Sequence, residues 1–372
     1  MSSDLKLGKL FTPFTTEKLS LANRTVMAPM TRTYSPGYVP GPHVADYYRR
    51  RAEGGVGLII TEGTTVPHKA SNGYENVPAC HGEEAMAGWK QVVEAVHAAG
   101  GKIAPQIWHV GSVRREGIGP DKSVPGYSPS GLFKPGKENG IAMSKTDIQD
   151  VISAFAQAAL NAKKVGFDAV EIHGAHGYLI DQFFWEGTNQ REDEYGGSLE
   201  NRTRFGVEIV EAVRRAVGED FPIIFRFSQW KQQDYEARLA ETPEELERFL
   251  SLLSDAGVDI FHASTRRFWL PEFEGSDLNL AGWTRQLTGK PSITVGSVGL
   301  DSDFVSASNQ DMRQGAEPAS LDNLIERMER DEFDLVAIGR ALLVDSEWVS
   351  KVREGREEEL KAFTRDALKT LS

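Results

Sequence analysis

Eight short apolar runs recur along this chain of 372 residues, and they constrain its fold more than any other feature. Most positions in each run are apolar, with little alternation between apolar and polar residues, as expected of strands buried on both faces. The predicted strands cover residues 24–30, 57–63, 102–108, 168–173, 222–228, 258–264, 292–297 and 334–339. Such runs are typical of a parallel sheet with helices packed on its faces.

Amphipathic segments between the runs predict helices over residues 83–99, 146–165, 201–217, 243–256, 320–330, 341–354 and 357–371. Thr242-Pro243-Glu244-Glu245 combines an N-cap, a proline at the first helical position and acids in the first turn. Gly257 is the corresponding C-cap. Eight alternations without a break in composition predict a single (β/α)8 TIM barrel, an α/β fold, as one domain over residues 1–372.

The competing architecture is an open, doubly wound sheet. It is disfavoured because no Gly-x-Gly-x-x-Gly sequence follows the first strand. Residues 5–22 precede that strand and predict an N-terminal β-hairpin that closes the bottom of the barrel. Residues 112–143 and 299–318 are long insertions, and connections of this length are typical of functional capping loops.

The bulk charge limits the partners that this chain can have. Its net charge is −12 and its pI is about 5.3, which argues against a nucleic-acid or anionic-membrane partner. Cys80 is the single cysteine, so intrachain disulfides and cysteine-ligated metal centres are excluded. The sequence has no export signal and no apolar run long enough to span a bilayer, so we expect a cytoplasmic protein.

The fourth predicted strand runs directly into His173, His176 and Tyr178, on a turn that contains two glycines. In a barrel, residues that follow the strands share one mouth, where the active site lies. These three side chains therefore predict chemistry at that mouth. A hydrogen-bonded turn is the structural alternative, and a zinc site that adds His109 is a weaker one, because it lacks a carboxylate or thiolate ligand.

Small residues follow the seventh and eighth strands, at Gly296-Ser297 and Gly339-Arg340. Bare backbone N–H groups beside a helix N-terminus favour a phosphate, and Arg340 adds a cationic donor. Tight βα turns are the alternative explanation of these glycines.

Arg226 interrupts an otherwise apolar strand, and a buried guanidinium needs a partner. Two interpretations stay open at this point: an ion pair with Glu171 or Glu62, or a cation held beside the electron-rich edge of a ligand.

Taken together, these residues resemble the old yellow enzyme family of FMN-dependent ene-reductases over nearly the whole chain. The blocks that carry the resemblance, in the order of the family, are Ala28-Pro29-Met30-Thr31-Arg32, Gly73-Tyr74, Gln106-Ile107-Trp108-His109, His173-Gly174-Ala175-His176-Gly177-Tyr178-Leu179, Gln182-Phe183 and Arg191-Glu192-Asp193-Glu194-Tyr195-Gly196-Gly197-Ser198-Leu199-Glu200-Asn201-Arg202. The sequence departs from the family pattern at residues 362–367, where a Phe-Tyr pair is expected, after Arg340, and at the insertion over residues 301–317.

The resemblance implies a non-covalent FMN lying across the barrel mouth. Thr31 would bond the O4 edge of the flavin, Gln106 the pyrimidine edge, and Arg226 would lie near N1 and O2. Pro29, Met30 and Gly63 would also contact the ring, and Gly296, Ser297, Gly339 and Arg340 would hold the phosphate. This favours the ligand-binding interpretation of Arg226, because a reduced flavin carries negative charge at N1.

The resemblance further implies a ping-pong NAD(P)H-dependent reductase of activated C=C bonds in enones and nitroalkenes, with nitro compounds and quinones as further candidates. His173 and His176 would bond the substrate oxygen, flavin N5 would deliver hydride, and Tyr178 would supply the proton. Tyr74, Trp108, Phe268 and Trp269 would wall the substrate pocket, and no metal is expected. The protein is predicted to be a monomer or homodimer.

Two other functions remain open from the sequence alone. One is a flavin-free lyase or isomerase that binds a phosphorylated substrate in the same anion site. The other is a flavoprotein that binds ligands without catalysis.

Overall fold

The eight predicted strands form one closed parallel barrel in the computed structural model, which describes residues 8–303 and 315–372. They are β1 (Thr25–Met27), β2 (Leu58–Thr65), β3 (Ile103–Trp108), β4 (Val170–His176), β5 (Ile223–Lys231), β6 (Ile260–Ser264), β7 (Ser292–Val295) and β8 (Leu335–Ile338). Each strand pairs with the next along the chain, and β8 closes the barrel on β1 through Ile338 and Met27. Every residue of β2, β3, β6, β7 and β8 is buried, which confirms that both faces are covered.

Helices follow the strands. They are α1 (Pro42–Glu53), α2 (Glu83–Ala98), α3 (Lys145–Val165), α4 (Leu179–Phe184), α5 (Leu199–Val217), α6 (Pro243–Ala256), α7 (Leu280–Thr288), α8 (Asp322–Glu329), α9 (Arg340–Val344) and α10 (Trp348–Arg353). The predicted ends of α6 are confirmed. The Thr242 hydroxyl accepts the Glu245 N–H at 3.2 Å, and Gly257 ends the helix with φ +118°.

Two predicted helices are wrong at the C-terminus. The segment predicted as one helix over 341–354 is divided into α9 and α10, because the Asp345 carboxylate bonds the Glu347 N–H and the Lys351 ammonium between them. Residues 357–371 form only two 3₁₀ turns, Glu357–Glu359 and Arg365–Lys369. The Arg32 guanidinium donates hydrogen bonds to carbonyl oxygens of this segment, among them that of Thr370 at 2.7 Å. These oxygens are therefore not used in α-helical hydrogen bonds.

The predicted N-terminal hairpin is present, with strands Phe14–Thr15 and Ser20–Leu21. Phe14, Leu19 and Leu21 pack in one cluster with buried barrel residues such as Leu58 and Ile224. This apolar plug closes the N-terminal end of the barrel. Residues 5–7 of the predicted hairpin lie outside the described residues.

The insertion over residues 112–143 carries short strands of its own. Tyr127–Ser128 pairs with Ile141–Ala142, and Leu132–Lys134 pairs with Lys137–Glu138. Residues 304–314 of the second insertion lie outside the described residues. Over residues 8–303 and 315–372, no helix combines the length and apolarity needed to cross a bilayer.

Candidate active site

A cavity of about 580 Å³ opens where the carboxyl ends of the barrel strands meet. This volume lies in the ordinary range of ligand pockets. A second cavity, of about 720 Å³, is lined by residues around 37–39, 67–72 and 81–85 and by none of the predicted site residues. Catalytic groups of barrels lie at the strand ends, so the smaller cavity is the candidate site although it is not the largest.

Most of the predicted site residues line this one cavity. They are Pro29, Met30, Thr31, Gln106, Trp108, His173, His176, Tyr178, Arg226, Gly296, Ser297, Gly339 and Arg340. They come from six of the eight strands or the loops that follow them. The alternation of strands and helices is therefore what brings residues more than 300 positions apart into contact with one space.

Gly63 and Tyr74 lie behind the cavity wall and not on it. A Cβ atom on Gly63 would come within 2.3 Å of Trp108 Cε3, so the indole lies directly against the backbone of β2. The Tyr74 ring stacks on the same indole, with ring centroids 5.3 Å apart. Gly63 thus makes room for Trp108, whereas the sequence-based expectation was a direct contact with the flavin.

Phe268 and Trp269 do not line the cavity, contrary to the prediction. Phe268 is 4% exposed and belongs to the hydrophobic core, while its backbone N–H bonds the Gly296 carbonyl at 3.1 Å. Trp269 packs edge-on against Phe268, at 5.3 Å between ring centroids. Aromatic residues after a strand are a weak signal, because the loop decides which way each side chain points.

Besides Trp108, the aromatic wall comes from Trp230, near the end of β5, and from Tyr235, which follows that strand, and Gln232 also lines the cavity. The Trp230 indole stacks on His176, with centroids 4.5 Å apart and an interplanar angle of 23°. The position of Trp230 at a strand end was the only sequence signal for this role. Phe363 also lines the cavity, in the region where the family pattern departs, and the Arg340 guanidinium lies 5.4 Å from its ring.

His173 and His176 are both neutral. Burial lowers the pKa of each well below its usual value, and the nearby Arg226 cation lowers both pKa values further. The two imidazole rings are perpendicular, with centroids 5.2 Å apart. A neutral imidazole donates one hydrogen bond, so the pair can offer two donors to one acceptor in the cavity.

His109 does not join these two histidines in a metal site. Its Nδ1 accepts the Gly111 N–H at 3.1 Å, and its Nε2 lies 2.9 Å from His68 Nδ1. Both ring nitrogens are therefore engaged, and His109 does not line the cavity.

Tyr178 holds its proton firmly. Burial raises the pKa of its phenol well above the usual value, and Tyr74 raises that pKa further. The two hydroxyl oxygens lie 3.0 Å apart. Tyr178 packs edge-on against Trp108 and against His173, at 4.8 and 5.0 Å between centroids, so its ring contacts one of the two imidazoles.

Arg226 makes no ion pair within 4.0 Å with either acid that the sequence suggested, among the described residues. The Glu171 carboxylate is bonded by Gln106 Nε2 at 2.8 Å and lies 2.7 Å from His262 Nδ1. The buried Nε of Arg226 has no hydrogen-bond partner in the described part of the chain. A buried donor without a partner is costly, so this nitrogen fits an acceptor atom of a ligand.

The predicted phosphate seat lies at one end of the cavity. Arg340 Nη2 lies 3.4 Å from the Ser297 hydroxyl and also bonds the Ser302 carbonyl. Ser297 has φ +53° and Gly296 has φ +135°, so the β7–α8 connection turns sharply here. The helix that begins at Arg340 has only five residues, and its dipole adds less than the sequence suggested.

Asp303 also lines this end of the cavity and is 1% exposed. Its carboxylate lies 2.7 Å from an Arg267 nitrogen and 3.4 Å from an Arg266 nitrogen. The two guanidinium groups offset its charge, which would otherwise repel a phosphate.

The features of this cavity fit FMN. A Cβ atom on Gly339 would find no atom nearer than 3.7 Å, which leaves the backbone open to a close ligand. The unpartnered Arg226 Nε suits the electron-rich edge of a flavin, and Arg340 with Ser297 suits its phosphate.

Comparison with known proteins gives concordant matches. The model of the NADH:flavin oxidoreductase / NADH oxidase family matches residues 9–314. The chain is 43% identical over 229 residues to "12-oxophytodienoate reductase 7" of Oryza sativa subsp. japonica, which covers 58% of this chain and 57% of that protein. It is 34% identical over 354 residues to "NADH oxidase" of Thermoanaerobacter brockii, and this alignment covers 92% of this chain and 50% of that protein.

The chain therefore spans about half the length of these two relatives. Among solved structures, a morphinone reductase in complex with tetrahydroNAD superposes with a TM-score of 0.80 at 31% identity. That superposition covers 96% of this chain and 93% of the other, and it agrees with the predicted TIM barrel.

Proposed function

Since this chain belongs to the NADH:flavin oxidoreductase / NADH oxidase family, we propose that it reduces activated C=C bonds with NAD(P)H as the electron donor. Membership of this family confirms the predicted old yellow enzyme family and its cofactor, FMN. Enones and nitroalkenes are the proposed substrate class. Nitro compounds and quinones fit the same cavity chemistry. The expected state of monomer or homodimer stays a prediction.

Six groups would hold the cofactor. Arg340, Ser297 and the backbone at Gly296 and Gly339 would take the phosphate, while Gln106 and Arg226 would take the ring. Bound FMN supplies hydride chemistry, accepting a hydride from reduced nicotinamide and giving one to an electron-poor carbon. Arg226 is a fixed cation 7% exposed, placed to stabilise negative charge that gathers on a reduced ring.

His173 and His176 would bind the substrate through its carbonyl or nitro oxygen. Both are neutral donors on the same side of the cavity. Donors fixed at the position where charge develops stabilise an enolate-like state without reorganising, and this polarises the double bond.

Tyr178 would protonate the α-carbon. Its raised pKa keeps it protonated at neutral pH, and it lines the same cavity as both histidines. The single observation that carries the proposal is this constellation: a protonated phenol and two neutral imidazoles facing one cavity that also holds an unpartnered arginine nitrogen. This buried cation, separate from the Arg340 and Ser297 phosphate site, favours a flavin over a flavin-free lyase or isomerase.

The visible spectrum of the purified protein tests the proposal. We expect a yellow protein whose flavin absorbance is bleached by NADPH or NADH without oxygen and restored by cyclohexenone. A colourless protein that takes up no FMN would support the flavin-free alternative. A flavoprotein bleached by dithionite, but not by either nicotinamide, would contradict the proposed reaction and favour a ligand-binding role.

A further inference from the structure

The Ser264 hydroxyl, at the end of β6, lies between Arg226 and His176. Its oxygen is 3.3 Å from Arg226 Nη2 and 2.7 Å from His176 Nε2. Ser264 is 2% exposed, and no other hydrogen bond of this hydroxyl occurs among the described residues. The three residues form a chain that joins the buried cation to one of the two proposed substrate donors.

The direction of this chain follows from the chemistry of the guanidinium. Arginine only donates hydrogen bonds, so the Ser264 oxygen accepts from Arg226. The hydroxyl then directs its own proton to its other partner, His176 Nε2. If His176 Nε2 carried the proton instead, both His176 and Arg226 would donate to the Ser264 oxygen. The Ser264 hydroxyl proton would then have no acceptor in the described part of the chain.

We propose that Ser264 is a positioning residue that fixes His176 in the tautomer carrying its proton on Nδ1. The neutral ring has one proton, and since Nε2 accepts from Ser264, Nδ1–H is the donor left for the cavity. His173 has the complementary tautomer. Its Nδ1 accepts the Ala175 N–H at 3.3 Å, so its proton lies on Nε2.

The His176 ring is held so that it cannot readily turn and exchange its two nitrogens. Trp230 stacks on one face of the ring at 4.5 Å between centroids, and the backbone N–H of His176 donates to the Ser228 hydroxyl at 2.9 Å, which fixes the main chain that carries the ring. His176 also has φ +64°, a left-handed conformation that is rare for a residue with a side chain. Because the ring orientation is fixed, the tautomer decides whether His176 presents a donor or an acceptor.

This inference deepens the proposed function and rests on it only where substrate is concerned. The tautomer itself is a property of the protein and can be measured without turnover. With Nδ1–H, the two histidines present two donors to one substrate oxygen. With Nε2–H, His176 would present a lone pair to that oxygen and oppose the negative charge that develops on it.

The experiment uses FMN-loaded enzyme with ¹⁵N-labelled histidine, in which ring ¹⁵N shifts distinguish the two tautomers. The variants are Ser264→Ala, Ser264→Thr, which keeps the hydroxyl, and Ser254→Ala as a control. Ser254 also carries a buried hydroxyl, on α6, and it does not line the cavity. We expect Nδ1–H at His176 in wild type, Ser264→Thr and Ser254→Ala, and detectable Nε2–H in Ser264→Ala.

Enone reduction by the prereduced enzyme should fall about 10-fold in Ser264→Ala, less than the loss for removing an oxyanion donor outright. Ser264→Thr should retain it. Nε2–H in wild type, or unchanged Nδ1–H in Ser264→Ala, would overturn the proposal. If no variant, wild type included, reduces an enone, the proposed function has failed, while the ring shifts still decide the role of Ser264.

Discussion

The hydroxyl oxygen of Tyr178 lies 3.0 Å from the hydroxyl oxygen of Tyr74. If Tyr178 gives its proton to substrate, Tyr74 is the donor that faces the phenolate left behind. Tyr74 is itself held by stacking on Trp108, at 5.3 Å between ring centroids. The proton donor therefore depends on Tyr74, which lies behind the cavity wall, and on Trp108, which lines the cavity and holds Tyr74 in place.

Replacing Tyr178 by Phe tests its role as proton donor. We expect Tyr178→Phe to slow enone reduction by about 100-fold, the lower end for loss of a general acid. Flavin reduction by NADPH should stay close to wild type, since that step needs no proton from the phenol. Stopped-flow measurement of the two half-reactions separates these effects.

Tyr195→Phe is the matched control, because that hydroxyl bonds Glu208 at 2.8 Å and does not line the cavity. An equal loss in both half-reactions of Tyr178→Phe would point to a damaged flavin site and not to a missing proton donor.

The close packing of Gly63 against Trp108 leads to a second prediction, which concerns stability and enone reduction. A methyl group there would lie 2.3 Å from Trp108 Cε3, and an indole packed among buried residues cannot move away freely. We expect Gly63→Ala to lower the free energy of unfolding by about 1–3 kcal/mol, as overpacking does. It should also slow enone reduction, because Trp108 contacts Tyr178 at 4.8 Å between centroids.

Urea denaturation and the oxidative half-reaction measure the two effects. Gly8→Ala serves as control, since no described residue beyond its chain neighbours has an atom within 4 Å of the added methyl group. The close packing of Gly63 would be refuted if both alanine variants behaved like wild type.

Much of the barrel follows from the sequence because buried parallel strands leave a local signal. All eight strands are found within a few residues of their predicted ends, and Thr242 and Gly257 mark the ends of α6 as expected. The helix predicted for the C-terminal segment is wrong, because carbonyl oxygens of this segment accept hydrogen bonds from Arg32, a residue more than 300 positions away. No local pattern reveals such a partner.

In the candidate site, too, some residues are predictable from the sequence and others are not. Residues within the barrel strands, such as His173 and His176 in β4 and Arg226 in β5, reach the cavity because the strands of a barrel converge on one mouth. Phe268 and Trp269 lie further into a loop, where side-chain direction depends on packing against the core. The partners of Ser264 and Glu171 depend on register between neighbouring strands, which a single sequence does not specify.

Glu62 predicts a dependence of stability on pH. Its carboxylate accepts the backbone N–H of Arg32 at 2.8 Å and of Thr33 at 3.2 Å, but burial outweighs these bonds and raises its pKa to about 7. In the unfolded chain the carboxyl ionises near its ordinary pKa, about 4.3. The folded state therefore keeps a proton that the unfolded state has lost, and stability falls as pH rises from about 4 to about 7.

Glu62→Gln should remove this pH dependence, because an amide does not ionise. The free energy of unfolding of Glu62→Gln minus that of wild type should increase by up to about 3 kcal/mol from pH 5 to pH 8. Urea denaturation of both proteins at both pH values measures this difference. Glu219→Gln changes an exposed side chain and should show no such difference. A constant gap between Glu62→Gln and wild type at both pH values would contradict the raised pKa.

Trp230 and Trp269 allow the observed and the expected pocket walls to be compared directly. Trp230→Ala removes the ring that stacks on His176 at 4.5 Å and the indole N–H that bonds the Ser264 carbonyl at 3.2 Å. His176 would then be free to turn, so the rate of enone reduction should fall about 10-fold and the KM for the enone should rise.

Trp269→Ala removes an indole of the same size that does not line the cavity, and its enone kinetics should stay within about twofold of wild type. Steady-state kinetics with cyclohexenone, at equal FMN content, measures both variants. If Trp269→Ala were the more damaged, the substrate would lie against the β6–α7 loop, as the sequence suggested, and not against Trp230 at the end of β5.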